Sequence, residues 1–293
     1  MNEQTNIIKS KNGILKEWLG GFEEEIFFEE IFEQKYFQFT NSNIHEKIDR
    51  IKIFNLLEDN EFKSRSTNSL NIIDSLDKTT ANKPRDIPTV EQLVSGTSLQ
   101  SVVFNGLQKE IVEIAEMCNE IGNYIGACCR ANAYYTPKNS KTFKLHFDNH
   151  DVFIVQVTGK KSWKVQSGEA ELVSMKCIQP TFEEVNTAMD DIEMNVGDIL
   201  YIPRGQQHCA YTCDTDSLHI TFGFTNFEWS DLISTMIDLQ TYRKKSYRAG
   251  IPLGSRKKAF EEIKNQLKEV IEECSNDLWY EESIKVLQKK LSN

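Results

Sequence analysis

No run of apolar residues in this 293-residue chain approaches the roughly 20 needed to cross a bilayer. The opening residues, MNEQTNIIKSKNG, lack the apolar core of a secretion signal. A membrane partner is therefore not expected, and the compartment read from the sequence is the cytoplasm. Cysteine occurs seven times, but with no CxxC pair, and the neighbours Cys128 and Cys129 are poorly placed to bridge each other. That argues against both a disulfide framework and a structural zinc site. Internal repeats and low-complexity segments are missing. So is any excess of positive charge: the net charge is −10. As a whole the chain is not a general polyanion binder, which disfavours a nucleic-acid partner. The basic segment 243–258, with seven Lys/Arg and no acid, is the one place where such a contact stays open.

What is present is enough for a sizeable core, with 39% hydrophobic and 10% aromatic residues. Residues 14–40 mix aromatics with seven glutamates, and Ile26, Phe27, Ile31 and Phe32 suggest short amphipathic helices. Residues 41–86 are polar, with STN and KTTANKPRD as loop signals. A short helix over PTVEQLVS stops at Gly96. A longer one over 107–127 carries Leu107, Ile111, Ile114, Ala115 and Cys118 on one stripe.

The texture changes at residue 128. CRANAYYT, TFKLHF, DVFIVQVT, SWKVQS, DILYIP, HCAYTC and SLHITFGF read as short strands, punctuated by Gly159, Gly168, Gly197 and Gly205. Many strands with turns and no helices between them indicate an antiparallel barrel or sandwich. From Phe227 the pattern is helical again. Ser230 is the expected N-cap of one helix, and a final helix of about 30 residues carries Ile263, Leu267, Val270 and Ile271. The expected organisation is a mixed helical segment at 1–127, a mainly β core at 128–227 and a helical region at 228–293.

Within the β-rich stretch, LHFDNHDVF places His146, Asp148 and His150 on alternate positions. On a strand these share one face. Residues i and i+4 lie about 13 Å apart on an extended strand, so His150 is set aside as a core or pocket residue. About 60 residues later, VGDILYIPRGQQHCAY reads as a hairpin that delivers His208 toward His146 and Asp148. Two imidazoles and one carboxylate on one side of a metal leave coordination positions open, the pattern of non-haem Fe(II) oxygenases. His219 reads as a packed strand residue, and Cys209 as a core thiol facing away from His208.

The stretch NAYYTPKNSKTFKLHFDNHDVFIVQVTGKKSWKV, with GDILYIPRGQQHCAY and SLHITFGF, resembles the JmjC-domain oxygenases. Within them it is most similar to the ribosomal oxygenase subgroup of protein hydroxylases. The resemblance covers residues 85–225 and extends loosely to EEIFEQKYFQF and YRAGIPLG. It implies a double-stranded β-helix (jelly-roll, cupin) core. It implies catalytic Fe(II) held by His146, Asp148 and His208, with 2-oxoglutarate and dioxygen as co-substrates. Lys161 is implied as the anchor of the distal carboxylate, and alternation supports it over Lys160, because Lys161 shares a face with Trp163 and Val165. Asn132 and Tyr134 match positions that contact the co-substrate. The sequence departs at Gly223, where close relatives have a serine; Thr221, two residues earlier on the same face, is the expected substitute.

The activity so implied is hydroxylation of a side chain in a protein or peptide, a ribosomal protein or a precursor peptide among them. N-methyl demethylation, RNA-base hydroxylation and an idle metal-binding cupin are the alternatives. The C-terminal helices match a dimerisation region, so a homodimer is expected.

Overall fold

The computed structural model describes residues 14–65, 69–74, 87–141, 143–174, 188–251, 255–274 and 277–291. The chain divides into two compact units after Thr225.

In the first unit, the N-terminal segment forms α1 (Ile14–Trp18), α2 (Glu24–Ile26), a π-helical turn at Phe27–Ile31 and a short strand, β1 (Phe37–Phe39). Trp18, Phe27 and Ile31 are buried, whereas Ile26 is exposed. The polar stretch 41–86 contains α3 (Arg50–Asn55), α4 (Asn60–Arg65) and β2 (Leu70–Asp74). Ile53, Phe54 and Phe62 of these helices are all buried. The Asp49 side chain caps α3 by accepting from the amides of Ile51 and Lys52. The signals STN and KTTANKPRD lie outside the described residues. Next come α5 (Val90–Val94), with a Thr89/Gln92 capping box, and β3 (Gln100–Asn105). The helix expected over 107–127 is a 3₁₀ turn, Leu107–Lys109, followed by α6 (Val112–Ile125). Ile114, Met117, Cys118 and Ile121 form its buried stripe, and Gly126 ends it at φ +81°.

Seven further strands follow: β4 (Cys128–Thr136), β5 (Asp151–Gly159), β6 (Lys161–Gln166), β7 (Met189–Met194), β8 (Ile199–Ile202), β9 (His208–Tyr211) and β10 (Ser217–Thr225). They build two antiparallel sheets. The larger has the order β1-β8-β5-β10-β4-β3-β2 and the smaller β7-β6-β9. The core is thus mainly β with helical segments before and after it, as the sequence leads one to expect.

Alternation along each strand divides the larger sheet's two faces. Ala131, Ala133 and Tyr135 of β4, Phe153 and Val155 of β5, and Ile220 and Phe222 of β10 face the outer core. There Trp18 packs edge-on to Phe222 at 4.8 Å, and α6 supplies its stripe. The opposite face, with Val152 and Ile154, turns toward Trp163 and Val165 of the smaller sheet. β5 is buried on both sides, which explains its apolar run Val152–Val155.

TFKLHF does not form the expected strand. Among its described residues only His146 is paired, in an isolated antiparallel bridge with His208. The expected hairpin is also absent. β8 belongs to the larger sheet and β9 to the smaller, so Pro203–Gln207 carries the chain from one sheet to the other.

In the second unit, α7 (Trp229–Arg243) is capped by Glu228 in a box with Asp231, not by Ser230. The expected single long helix is two, α8 (Arg256–Cys274) and α9 (Asp277–Leu291). Leu232 and Met236 pack with Trp279 and Leu287. The basic segment is partly neutralised within this unit. Arg243 pairs with Glu282 (2.6 Å) and lies over the Trp279 ring, and Lys244 pairs with Glu269 (3.4 Å).

Candidate active site

His146 and His208 stand opposite each other across the isolated bridge. The His146 amide donates to the His208 carbonyl (3.1 Å), and the His208 amide donates to the His146 carbonyl (2.7 Å). Each ring is oriented by a main-chain carbonyl two residues earlier. His146 Nδ1 bonds to Lys144 O (2.9 Å) and His208 Nδ1 to Gln206 O (3.0 Å). A carbonyl can only accept, so both Nδ1 atoms carry the proton and both Nε2 lone pairs are free. These point at Asp148: His146 Nε2 is 3.9 Å from Oδ1, and His208 Nε2 is 3.7 Å from Oδ2. One ligand atom from each residue falls within 4.8 Å of the others. Burial holds the His208 pKa below its ordinary value, opposed by the Asp148 charge, which favours the neutral ring a metal needs.

The IPRGQQH stretch acts as a clamp. The Arg204 amide donates to Asp151 Oδ1 (2.8 Å), and its guanidinium pairs with Glu33 (2.7 Å). The Gly205 amide donates to the Asp148 carbonyl (2.8 Å). Gly205 has φ +84°, and a Cβ there would lie 2.0 Å from the Glu171 carbonyl oxygen, so only glycine fits. Gln206 Nε2 reaches the carbonyls of Gln166 (2.7 Å) and Gly168 (3.1 Å). One turn thus fixes the backbone of Asp148 and delivers His208 beside Val165 of β6.

The three residues line a cavity of about 830 Å³ between the two sheets. Strand register orders its walls in rows. Tyr134 of β4 lies opposite His219 of β10, then Asn132 opposite Thr221, then Arg130 opposite Gly223. At the deep end Lys161 is 2% exposed, and its ammonium donates to Thr136 Oγ1 at 2.5 Å. Burial alone pulls its pKa down to about 7. Among the described residues no carboxylate pairs with it. A buried cation with only a hydroxyl partner is a complement for an anion brought in from outside. Lys160, by contrast, is exposed and paired with Glu193 (3.1 Å).

Asn132, Tyr134 and Thr221 line the cavity, as do His150 and His219. Asn132 Oδ1 accepts from the Gly106 amide (2.9 Å). Burial, followed by the Asp148 charge, pushes the Tyr134 hydroxyl up to about 12, so it stays protonated. His219 differs from its reading as a packing residue. Its ring stacks on Tyr134 (4.9 Å between centroids) and meets the Trp163 edge (5.4 Å). Burial, and secondarily Lys161, holds it well below the ordinary histidine range. His219 Nδ1 and Trp163 Nε1 are buried without a hydrogen-bond partner, two further polar atoms without a protein partner. The alternation that selected Tyr134 and Thr221 also selects His219. His150, expected as a core or pocket residue, lines the cavity at the bend Asn149–His150. Its ring lies over Gly223, where a Cβ would come 2.5 Å from His150 Cδ2. Cys209 is buried and does not line the cavity.

The JmjC domain family matches residues 106–232. The chain is 30% identical over 149 residues to a bifunctional lysine-specific demethylase and histidyl-hydroxylase NO66 of Drosophila persimilis, covering 49% of this chain and 22% of that protein. It is 28% identical over 168 residues to ribosomal oxygenase 1 of Danio rerio, covering 54% of this chain and 30% of that one. The chain thus spans less than a third of the length of these relatives. Among solved structures it is similar to YcfD, a ribosomal oxygenase from Escherichia coli in complex with cobalt and 2-oxoglutarate. The TM-score is 0.55 at 18% identity, covering 90% of this chain and 71% of that chain. That likeness establishes the fold. Residues 106–232, which contain the facing histidines and Asp148, match the JmjC domain family and include most of the antiparallel β core.

Proposed function

We propose that this protein is an Fe(II)- and 2-oxoglutarate-dependent oxygenase that hydroxylates a side chain of a protein or peptide. One observation carries the reading. Three donors of the right kind converge within 4.8 Å on the wall of a cavity whose deep end holds an ammonium without a carboxylate partner. When bound, Fe(II) supplies dioxygen activation, and 2-oxoglutarate supplies the two electrons that reduce the second oxygen atom.

The chain's own residues prepare that chemistry. His146 and His208 present neutral Nε2 donors in a fixed tautomer, and Asp148 adds the anionic donor. Lys161 pairs with the distal carboxylate of the co-substrate, with Thr136, Tyr134 and Thr221 as hydroxyl partners along the wall. Asn132 holds the 106–109 turn against β4. Val152, Ile154 and Trp163 keep the inner chamber apolar and exclude water.

The partner is a protein or peptide; a ribosomal protein is suggested by the names of the relatives, and a precursor peptide is the other candidate. A homodimer is supported by Phe260, Ile263, Leu267 and Ile271, which form an exposed apolar stripe on α8. A cytoplasmic setting is supported by the free thiols of Cys118, Cys128, Cys129, Cys209 and Cys213.

The names of the relatives carry demethylation as well as hydroxylation. Mass spectrometry of candidate peptides treated with protein, Fe(II) and 2-oxoglutarate separates the two. A gain of one oxygen, with matching succinate, is expected. Loss of a methyl group would move the assignment to demethylation, and succinate that never depends on Asp148 would contradict the metal site.

A further inference from the structure

The cavity has a second cationic end, beyond the three converging donors. The row of Arg130 and Gly223 lies two residues past Asn132 and Thr221, roughly 6–7 Å nearer the mouth. Thr225, one row further out, is exposed, whereas Thr136 and Lys161 at the opposite end are buried. Lys109 joins Arg130 in this outer wall. It is placed there by a turn fixed to β4 at two points. The Gly106 amide donates to Asn132 Oδ1 (2.9 Å), and Gln108 Oε1 accepts from the Ala131 amide (3.0 Å).

Charge makes this end unusual. The chain carries −10 overall. Yet Asp148 is the only carboxylate among the described residues lining the cavity, against Lys109, Arg130 and Lys161. Among the described residues, neither Arg130 nor Lys109 has a carboxylate at ion-pair distance. Asp148 and Lys161 balance each other, as do a divalent cation and a dicarboxylate. Arg130 and Lys109 are left uncompensated where a substrate must enter.

We propose that this outer wall binds a carboxylate on the substrate: an acidic side chain flanking the residue that is modified, in an extended peptide segment. This rests on the oxygenase reading above. The Arg130 guanidinium offers a fork that matches a carboxylate, with Lys109 as a second point charge. Gly223, lacking a Cβ, makes room for the His150 ring, which lies over it as a flat polar wall beside Arg130. Single-stranded RNA is the weaker fit. Two cations neutralise few phosphates, the surrounding chain repels a polyanion, and Phe143 is the one phenylalanine among the described lining residues.

The test uses the full chain with Mn(II) and 2-oxoglutarate and three fluorescein-labelled probes, read by anisotropy. One is a short peptide with Asp and Glu flanking its central residue. The second has Asn and Gln in their place. The third is an oligouridine of similar length. The acidic peptide is expected to bind about tenfold more tightly than the amide peptide, an advantage that shrinks with added salt. Replacing Arg130 and Lys109 together by Gln is expected to erase the advantage, while Arg130→Lys, which keeps the charge, retains part of it. Equal binding of the two peptides, an advantage that survives the double replacement, or tighter binding of oligouridine would each overturn the proposal. Anaerobic addition of Fe(II) and 2-oxoglutarate to the same wild-type preparation tests the underlying reading separately. A charge-transfer band without acidic preference removes only this proposal, whereas no band removes the oxygenase reading itself.

Discussion

His146 and His208 are held opposite each other by their own backbones, exchanging both main-chain hydrogen bonds while their tilted rings lie 4.5 Å apart between centroids. The ligand geometry is therefore set by strand pairing and by carbonyl-fixed tautomers before any metal arrives. Removing a side chain should empty the site without undoing the bridge. With Mn(II) at about 100 times its Kd, the wild-type thermal midpoint should rise by roughly 5–10 °C. In Asp148→Ala the rise should vanish while the metal-free midpoint changes little. A metal-dependent shift that persists in Asp148→Ala would place the ion elsewhere.

The proposed role of Lys161 makes co-substrate binding pH-dependent. Its ammonium titrates near pH 7 in the free protein, and an anion needs the charged form. The affinity for 2-oxoglutarate should therefore fall as pH rises above about 7, approaching tenfold per unit. The sign for stability is opposite. Between the folded value and the ordinary one, the unfolded chain holds a proton that the folded chain lacks, so the co-substrate-free protein gains stability as pH rises through that window. Lys161→Met should weaken 2-oxoglutarate binding on the order of 30-fold or more, and stabilise the empty protein most below about pH 7. Fluorescence titrations and thermal midpoints across pH check both directions. A pH-independent affinity would move the anchor away from Lys161.

How much of this was legible in the sequence depends on what each signal measures. His146, Asp148 and His208 were found by spacing and residue type, which survive a change in local structure. The local structure itself was misread, because alternation looks the same in a strand and in an extended segment paired at one point. The short β1 and the polar edge strand β7 were missed, since each has a neighbour on one side only and needs little apolar sequence. His150, read as a core or pocket residue and not as a ligand, does line the cavity and stays outside the converging triad. The sheet crossing after Pro203 was invisible because a turn to the same sheet and a crossing to another use the same residues.

Gly205 links backbone conformation to the site. Gly205→Ala must bring a Cβ against the Glu171 carbonyl at positive φ, and the amide that holds Asp148 moves with it. The expected cost is about 1–3 kcal/mol of stability, with a loss of roughly 10–100-fold in metal affinity. Chemical denaturation and metal titration measure the two separately. A stability loss with unchanged metal affinity would show that the clamp does not position Asp148.

Gly223 and His150 should behave as a coupled pair. A Cβ at 223 meets the His150 ring, which can swing away because it is only partly buried. Gly223→Ala should cost more stability in the wild-type chain than in a His150→Ala background, with a coupling of about 0.5–1 kcal/mol. Additive effects in that double-mutant cycle would mean that the ring does not rest on Gly223 in solution.

The proposed centre is Fe(II) held by His146, Asp148 and His208 in a cavity whose deep end fixes 2-oxoglutarate through Lys161. Anaerobic absorption spectroscopy tests it most directly. Fe(II) or 2-oxoglutarate alone should leave the visible spectrum featureless, and the two together should give a charge-transfer band that is absent in Asp148→Ala and needs more 2-oxoglutarate in Lys161→Met. No band in metal-loaded wild-type protein, or an undiminished band in Asp148→Ala, would contradict the account.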